Sequence, residues 1–435
     1  MEHDAKRNHS PASVFGLRDF RRMMVSIACS TMAGQALALV TGYQVYEITG
    51  SKLAIGILGL VEAIPAITLS LYGGHVADRH DRRRILIITL SLLTLCAGLL
   101  VASSYLGVSL VVLYVTMFVV GVGRSFAGPA LSALEAQVVP INLIVKSAIW
   151  FSSTWLTAAV VGPLIGGFAI AYFGPLHTYV IIAVLYAIAW IASIQISPQP
   201  YVQPKQHESV WQSITSGVAY VFSNQPLLGS MSLDLFAVLF GGVIALLPVF
   251  AKEILFVDAF HLGFLRAAPH IGALVTMLIA TRHPPVRHAG RNLLLAVAGF
   301  GVTILVFAVS KNFYLSLAML FLSGVFDGIS VVIRRSIVRL LSPNYLRGRV
   351  AAVSLIFIGS SNELGALESG LAAAWLGTIP SVLAGGTVTL LVASITAILA
   401  PRLRELRLDN VGNAPDSIGM AEDVVEASEE RAERL

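Results

Sequence analysis

The chain has 435 residues, of which 56% are hydrophobic and 12% are charged, and its mean hydropathy is +0.80. Since a soluble globular protein carries about 25% charged residues, this composition leaves too little polar surface to face water. It excludes a cytosolic enzyme, a secreted disulfide scaffold and a disordered binding protein, and it predicts a protein of the lipid bilayer. The net charge of +5 is typical of the basic residues that orient a membrane protein, so we expect no nucleic-acid partner.

Twelve apolar stretches are long enough to cross a bilayer, which takes about 20 helical residues. In chain order they are centred near Ala36, Ala66, Leu93, Val120, Ala159, Leu185, Leu239, Ile271, Gly301, Val325, Ser361 and Leu391. The longest break between them, 197–226, begins with prolines and continues with apolar residues at helical spacing, which indicates an amphipathic helix on the membrane. The predicted fold class is an all-α integral membrane protein with twelve transmembrane helices.

The distribution of lysine and arginine predicts the orientation. With the first span starting in the cytoplasm, the cytoplasmic segments hold 24 of the 29 basic residues. The other side holds Lys52, Lys252 and Lys311, and the remaining two, Arg124 and Arg266, lie within spans. Because basic residues accumulate on the cytoplasmic side, both termini are predicted to be cytoplasmic, in a bacterial-type inner membrane.

The two halves of the chain repeat each other at an offset of 203 residues. The matching residues occur in the same order, so that Phe118, Gly121, Val122, Pro140, Gly162 and Gly167 correspond to Phe321, Gly324, Val325, Pro343, Gly365 and Gly370. This repeat predicts two pseudo-symmetric six-helix bundles around a central cavity. The predicted divisions are an N-terminal bundle 1–196, a cytoplasmic linker 197–226, a C-terminal bundle 227–405 and a disordered acidic cytoplasmic tail 406–435.

The segment after the second span, 73–84, reads GGHVADRHDRRR. Its glycines predict a tight turn at a close helix contact, and its charges are also typical of a loop that only sets topology. The order of residues resembles the first signature of the major facilitator superfamily, G-x-L-A-D-R-x-G-R-R. The resemblance implies a latch between the cytoplasmic ends of the bundles, and it assigns that latch to Gly74, Asp78, Arg79, Arg82 and Arg83.

Two further motifs resemble signatures of the same superfamily. Arg124 begins the string RSFAGPA in the fourth span, which is similar to R-x-x-x-G-x-A and implies proton transfer or substrate contact. The alternative is a structural ion pair between the bundles with Asp327, the repeat mate of Arg124.

The string GPLIGG in the fifth span resembles the antiporter signature G-P-x-x-G-G, which implies export, although close helix packing is the default role of such residues. The residues of this motif are Gly162, Pro163, Gly166 and Gly167.

The segments 123–130 and 346–350 narrow the resemblance within the superfamily. They are similar to the branch that contains enterobactin exporters and macrolide efflux proteins. No nucleotide-binding, zinc-protease or paired Cys/His motif occurs in the sequence, so we expect neither a cofactor nor a metal site.

Charged residues within the spans must face water, form pairs or be neutral, because each one is costly in lipid. Besides Arg124 and Asp327, they are Glu62, Asp234, Arg266, Glu363 and Glu368. Glu62 lies near the midplane with no basic residue within one turn of its own helix, so we expect it to rest protonated and rank it first for proton coupling, ahead of Asp234 and Asp327. Substrate contact and a structural hydrogen bond are the alternatives for Glu62. Glu363 is expected to face the cavity.

Together these features predict a secondary transporter, not an enzyme, that exports small organic molecules or drugs against proton entry by alternating access. Its expected partners are a small-molecule substrate, protons and the lipid bilayer, and we expect a monomer. Two alternatives stay open. One is an exporter of a siderophore or another specific metabolite, and the other is a transport-inactive membrane sensor or scaffold with the same fold.

Overall fold

The computed structural model describes residues 14–199, 210–343 and 346–408, and no strand occurs within them. The α-helices of this part are α1 (Arg18–Thr49), α2 (Lys52–Arg79), α3 (Arg82–Leu106), α4 (Leu110–Gln137), α5 (Ile144–Gln195), α6 (Val210–Ser223), α7 (Gln225–Gly241), α8 (Leu247–Val249), α9 (Ala259–Ala280), α10 (Ala289–Val309), α11 (Phe313–Leu341), α12 (Arg347–Leu376), α13 (Thr378–Leu399) and α14 (Pro401–Arg404). The tail from residue 409 and the side chain of Glu363 in α12 lie outside the described residues.

Twelve membrane crossings follow from these helices. Ten helical stretches of the described chain are long and apolar enough to cross a membrane, and one of them, Ile141–Gln195, has 55 residues. Gly174, with φ 75° and ψ 178°, divides α5 into two crossings, because this backbone conformation is not helical. α12 has 30 residues, of which Leu364–Leu376 form a described apolar segment, and it supplies the twelfth crossing. The predicted twelve-helix fold is confirmed.

The seventh crossing is interrupted. α7 ends at Gly241, and the chain then passes through a 3-10 turn, α8 and a π-helical turn that ends at Ile254. The Ser369 hydroxyl donates a hydrogen bond of 2.8 Å to the carbonyl oxygen of Gly242, which the interruption leaves without a helical partner.

The turn predicted at Gly73 and Gly74 is wrong, because α2 continues as a helix to Arg79. The close helix contact expected there does exist. A Cβ atom added to Gly73 would overlap the carbonyl group of Ser125 in α4, whereas one added to Gly74 would meet no atom within 4 Å. Gly73 therefore serves the packing of α2 on α4 rather than a turn.

The two halves use the same helix contact, as the repeat predicts. Gly121 of α4 packs against Pro65 of α2, and a Cβ atom there would lie 2.7 Å from the proline ring. Its repeat mate Gly324 of α11 packs against Pro269 of α9 so closely that a Cβ atom would overlap the proline carbonyl. Helices α1–α5 thus form one bundle and α7–α13 a second, pseudo-symmetric one.

The two bundles touch each other near one side of the membrane. We call this side the opposite face: α1 ends there at Thr49 and α2 begins there at Lys52. The basic face is the other side, where α1 begins at Arg18 and α2 ends at Arg79. Glycines form the contacts. Gly56 of α2 meets Gly370 of α12, and Gly167 of α5 meets Gly263 of α9.

α6 occupies the end of the predicted linker and packs on the second bundle. Val221 is fully buried, and the Tyr220 hydroxyl donates a hydrogen bond of 2.7 Å to the carbonyl oxygen of Leu341 in α11. At the start of α12, Arg349 donates a hydrogen bond of 2.8 Å to the hydroxyl of Ser216. The linker helix is therefore attached to the bundle that follows it in the chain.

Candidate functional site

A buried ion pair lies in the middle of the first bundle. Nη1 of Arg124 on α4 is 2.5 Å from Oε1 of Glu62 on α2, and Glu62 is only 8% exposed. Gly121 permits this approach, because a Cβ atom at this position, one turn before Arg124, would overlap the Glu62 carbonyl. The Ser125 hydroxyl also donates a hydrogen bond of 2.8 Å to the carbonyl oxygen of Pro65. The pair therefore sits at a close contact between α2 and α4.

This pair corrects two expectations. Sequence reasoning found no basic partner for Glu62 because it considered only the residues of α2, whereas the partner comes from α4. The alternative role of Arg124, an ion pair with Asp327 across the bundles, is not found among the described residues. Each of these two residues is bonded to a charge of its own bundle, Arg124 to Glu62 and Asp327 to Arg334.

A second charged cluster lies within the second bundle, where two carboxylates share one guanidinium. Arg334 of α11 forms an ion pair with Asp234 of α7, and both side chains are at most 10% exposed. Its other terminal nitrogen is 4.0 Å from Asp327, whose side chain is 44% exposed. The hydroxyl of Ser330 accepts a hydrogen bond of 3.2 Å from Nε of Arg334. Asp234, Asp327 and Ser330 line a pocket whose other walls include Phe300 and Phe326.

Arg334 is one of the 24 basic residues that the sequence places in the cytoplasmic segments, and this placement is wrong. α11 continues to Leu341, and Arg334 is buried inside the bundle. The sequence does contain a signal. Asp327 and Arg334 are seven residues apart, or two helical turns, so they share one face of a helix.

Arg266 of α9 lies close to the first ion pair, although it belongs to the second bundle. It is within electrostatic reach of both Glu62 and Arg124. Among the described residues it forms no ion pair. His270, one turn farther along α9, is within electrostatic reach of Arg266.

The antiporter-like motif of α5 packs two helices at once. Gly162 and Gly166 face α1 of the same bundle, where a Cβ atom on Gly166 would lie 3.1 Å from Cα of Ala36. Gly167 and the carbonyl of Pro163 face Gly263 of α9 in the other bundle. The motif therefore forms part of the boundary between the bundles, as small residues at helix crossings do.

The latch residues lie at the end of α2 and the start of α3 on the basic face. Asp78 and Arg79 are exposed. Among the described residues, the hydrogen bonds of Arg82 and Arg83 remain within the first bundle: Arg82 donates to the carbonyl of Ala77 at 3.3 Å, and Arg83 donates to the carbonyl of Ile194 at 2.6 Å.

A group of charges that sequence reasoning missed joins the bundles at the opposite face. Lys252 forms an ion pair with Glu47 at the end of α1. The neighbouring Glu253 accepts a hydrogen bond from the Tyr46 hydroxyl and lies 3.2 Å from the ammonium group of Lys52. We call these five residues the opposite-face cluster. Spacing along the chain gives no signal for it, because its members come from distant segments.

Similarity to known proteins identifies the family. Residues 9–428 match the model of the family described as transmembrane secretion effector. The chain belongs to this family. Relatives of this chain include the enterobactin exporter EntS of Shigella flexneri, which is 23% identical over 397 residues, a match that covers 89% of this chain and 93% of the relative. The enterobactin exporter EntS of Escherichia coli O1:K1 is 23% identical over 404 residues, with the same shares of the two chains covered.

Solved structures of transporters share the fold of this chain. A POT family transporter in complex with 5-aminolevulinic acid has a TM-score of 0.73 at 13% identity and covers 90% of this chain and 98% of its own. A D-xylose-proton symporter has a TM-score of 0.68 at 13% identity, covering 89% and 99%. A bacterial homologue of the lysosomal transporter Spinster, inward-facing and unoccupied, has a TM-score of 0.68 at 13% identity, covering 89% and 95%.

The predicted major facilitator membership is thereby confirmed, and the protein is a multi-pass membrane transporter. Its buried charges therefore belong to a transport fold. Within the described residues, no group of three or more His, Cys, Asp or Glu side chains is placed to hold a metal ion.

Proposed function

We propose that this transporter exports small organic molecules by proton antiport, and the observation that supports it most is the surplus carboxylate of the second bundle. Asp234 and Asp327 face a single guanidinium, that of Arg334. Two carboxylates near one positive charge are not both ionised at low cost when the surroundings exclude water. One of them then binds a proton. Asp327 is the better candidate, because Asp234 forms the closer ion pair with Arg334, whereas Asp327 lies 4.0 Å from it and lines the pocket.

This proposal changes the order of the proton-coupling candidates. Glu62, ranked first on sequence, already has a guanidinium partner 2.5 Å away, so it now follows Asp327 and Asp234. Arg124 keeps its proposed role in proton transfer or substrate contact between the bundles. Glu363 remains a candidate on its sequence position alone.

Alternating access is supported by where the bundles touch. Their glycine contacts and the opposite-face cluster lie on one side of the membrane. At mid-membrane, by contrast, the side chain of Arg124 is 45% exposed. We propose that the termini are cytoplasmic and the membrane is a bacterial inner membrane, so that this conformation is closed to the outside. The latch residues Asp78, Arg82 and Arg83 are proposed to join the bundles when the protein opens outward.

The test uses purified protein in liposomes with ethidium and carboxyfluorescein as probes. An imposed pH gradient should drive transport of at least one probe by the wild type. Asp327→Asn should reduce pH-driven transport to the background of empty liposomes while exchange of probe for probe continues, because exchange needs no proton. Glu405→Gln, which alters an exposed carboxylate on the basic face, is the control and should transport like the wild type.

Full pH-driven transport by Asp327→Asn would mean that a residue other than Asp327 binds the coupling proton. If no probe moves in the wild type under any gradient, the export proposal fails for these solutes, and a transport-inactive sensor becomes the better reading of the chain.

A narrower cargo is the second candidate. The relatives that are named enterobactin exporters match 89% of this chain, which favours a siderophore or another specific metabolite over a broad set of drugs. The metabolites secreted by a deletion strain, compared with those of its parent, distinguish the two cases.

A further inference from the structure

The repeat places charges of exchanged sign at equivalent positions in the two bundles. Arg124 of α4 corresponds to Asp327 of α11 at the offset of 203 residues. Glu62 precedes Pro65 by three residues in α2, and Arg266 precedes Pro269 by three residues in α9, so these positions correspond at an offset of 204, one residue more than between α4 and α11. Each bundle therefore carries one acid and one base on the same two helices, with the signs reversed.

The two bundles do not use these charges in the same way. In the first bundle the acid and the base bond to each other, Glu62 to Arg124. In the second bundle Asp327 faces Arg334 instead. This exchange leaves Arg266 without an ion-pair partner among the described residues.

Arg266 lies toward the boundary between the bundles rather than toward lipid. Gly263, one turn before Arg266 on α9, packs against Gly167 of α5 in the other bundle. The charges that act on Arg266, Glu62 and Arg124, also belong to that bundle. A Cβ atom on Gly34 of α1 would lie 4.0 Å from Nη2 of Arg124, so the same region also contains the middle of the first helix. Among the described side chains, the guanidinium groups of Arg266 and Arg124 and the carboxylate of Glu62 therefore face the same region at mid-membrane.

An uncompensated guanidinium within a membrane protein is costly, and such residues mark the pathways of substrates or ions. Arginine is also the side chain best suited to a planar anion, because its fork of N–H donors matches a carboxylate with two parallel hydrogen bonds. We infer that Arg266 is a substrate-binding residue that, beside Arg124, receives the anionic group of an organic anion. This inference rests on the proposed export function and names the chemical class of its cargo.

The test measures binding separately from transport. Carboxyfluorescein is titrated against the purified full-length protein in a neutral maltoside detergent, where no anionic lipid is added, and its fluorescence anisotropy reports binding. Loss of a hydrogen bond to a charged group raises Kd about 10- to 100-fold. Arg266→Gln should therefore weaken the binding of carboxyfluorescein by that factor. Arg266→Lys keeps the charge and should recover most of the affinity. Arg282→Gln, at an exposed arginine of the basic face, is the control and should bind like the wild type.

Ethidium, a cation, is titrated in parallel and should bind the Arg266→Gln variant no more weakly than the wild type. Equal carboxyfluorescein affinity for the wild type and for Arg266→Gln would overturn the inference, and so would a wild type that binds no carboxyfluorescein. If Arg266→Gln does not elute as a single species in size exclusion, the comparison uses Arg266→Lys, which must then bind carboxyfluorescein more tightly in low salt than ethidium. Anion binding that depends on Arg266, in a protein that moves no probe in liposomes, would sustain the inference and defeat the transport proposal.

Discussion

The glycine contact between α2 and α12 holds the bundles together at the opposite face, and adding one methyl group there should change the equilibrium between the closed and open conformations. A Cβ atom on Gly370 would lie 2.5 Å from Cα of Gly56 and 3.2 Å from the carbonyl oxygen of Lys52. Carbon atoms in contact are about 3.5–4.0 Å apart, so Gly370→Ala requires these helices to separate by about 1 Å. Overpacking of this kind costs about 1–3 kcal/mol. Because only the conformation closed at the opposite face contains the contact, the equilibrium should shift about 5- to 150-fold toward the open one.

Distances between spin labels measure this shift. Ile48 and Trp375 are exposed side chains at the opposite-face ends of α1 and α12, one in each bundle. With Cys29 and Cys96 replaced by alanine, labels at these two positions report separation of the bundles by double electron–electron resonance. In Gly370→Ala the longer distance should become the major population.

Gly359→Ala is the matched control, since it makes the same substitution in the same helix at a position where the added atom meets nothing within 4 Å. It should keep the wild-type distance distribution. Identical distributions for Gly370→Ala and Gly359→Ala would refute the reasoning, because the contact would then have no influence on the equilibrium.

Two further predictions concern the opposite-face cluster and the orientation. Lys252→Met removes the partner of Glu47, and because both side chains are substantially exposed the pair contributes at most about 1 kcal/mol, so the same labels should show at most a fivefold shift toward the open state. A shift as large as that of Gly370→Ala would mean that the cluster, not the glycine contact, holds the bundles together. Alkaline phosphatase fused after Leu435 should be inactive and a fusion at Lys311 active, since the enzyme folds only outside the cytoplasm; the reverse result would invert the proposed topology.

The twelve crossings and the two-bundle fold could be predicted from sequence because each depends on local information. A run of about 20 apolar residues is visible in any window of the chain. The repeat is visible because glycines such as Gly121 and Gly324 are required at the same helix contact in both halves.

The partners of the buried charges could not be predicted in the same way. The pairing of Glu62 with Arg124 depends on the register of α2 against α4, which Gly121 sets through a contact that has no signature of its own. The opposite-face cluster depends on the position of one bundle relative to the other, which no local pattern encodes. Arg334 is the exception, since its distance from Asp327 along α11 is a helical signal that an assignment by charge alone overlooked.

The interruption of the seventh crossing separates its two ends mechanically. Because the helical hydrogen-bond ladder stops at Gly241, bending at Gly242 breaks fewer backbone hydrogen bonds than bending within an intact helix. The segment after Gly242 carries Lys252 and Glu253, the two residues that the second bundle contributes to the opposite-face cluster. The end of the crossing at the opposite face is therefore able to move without the rest of α7, which gives this face a local gate of its own in addition to the proposed movement of whole bundles.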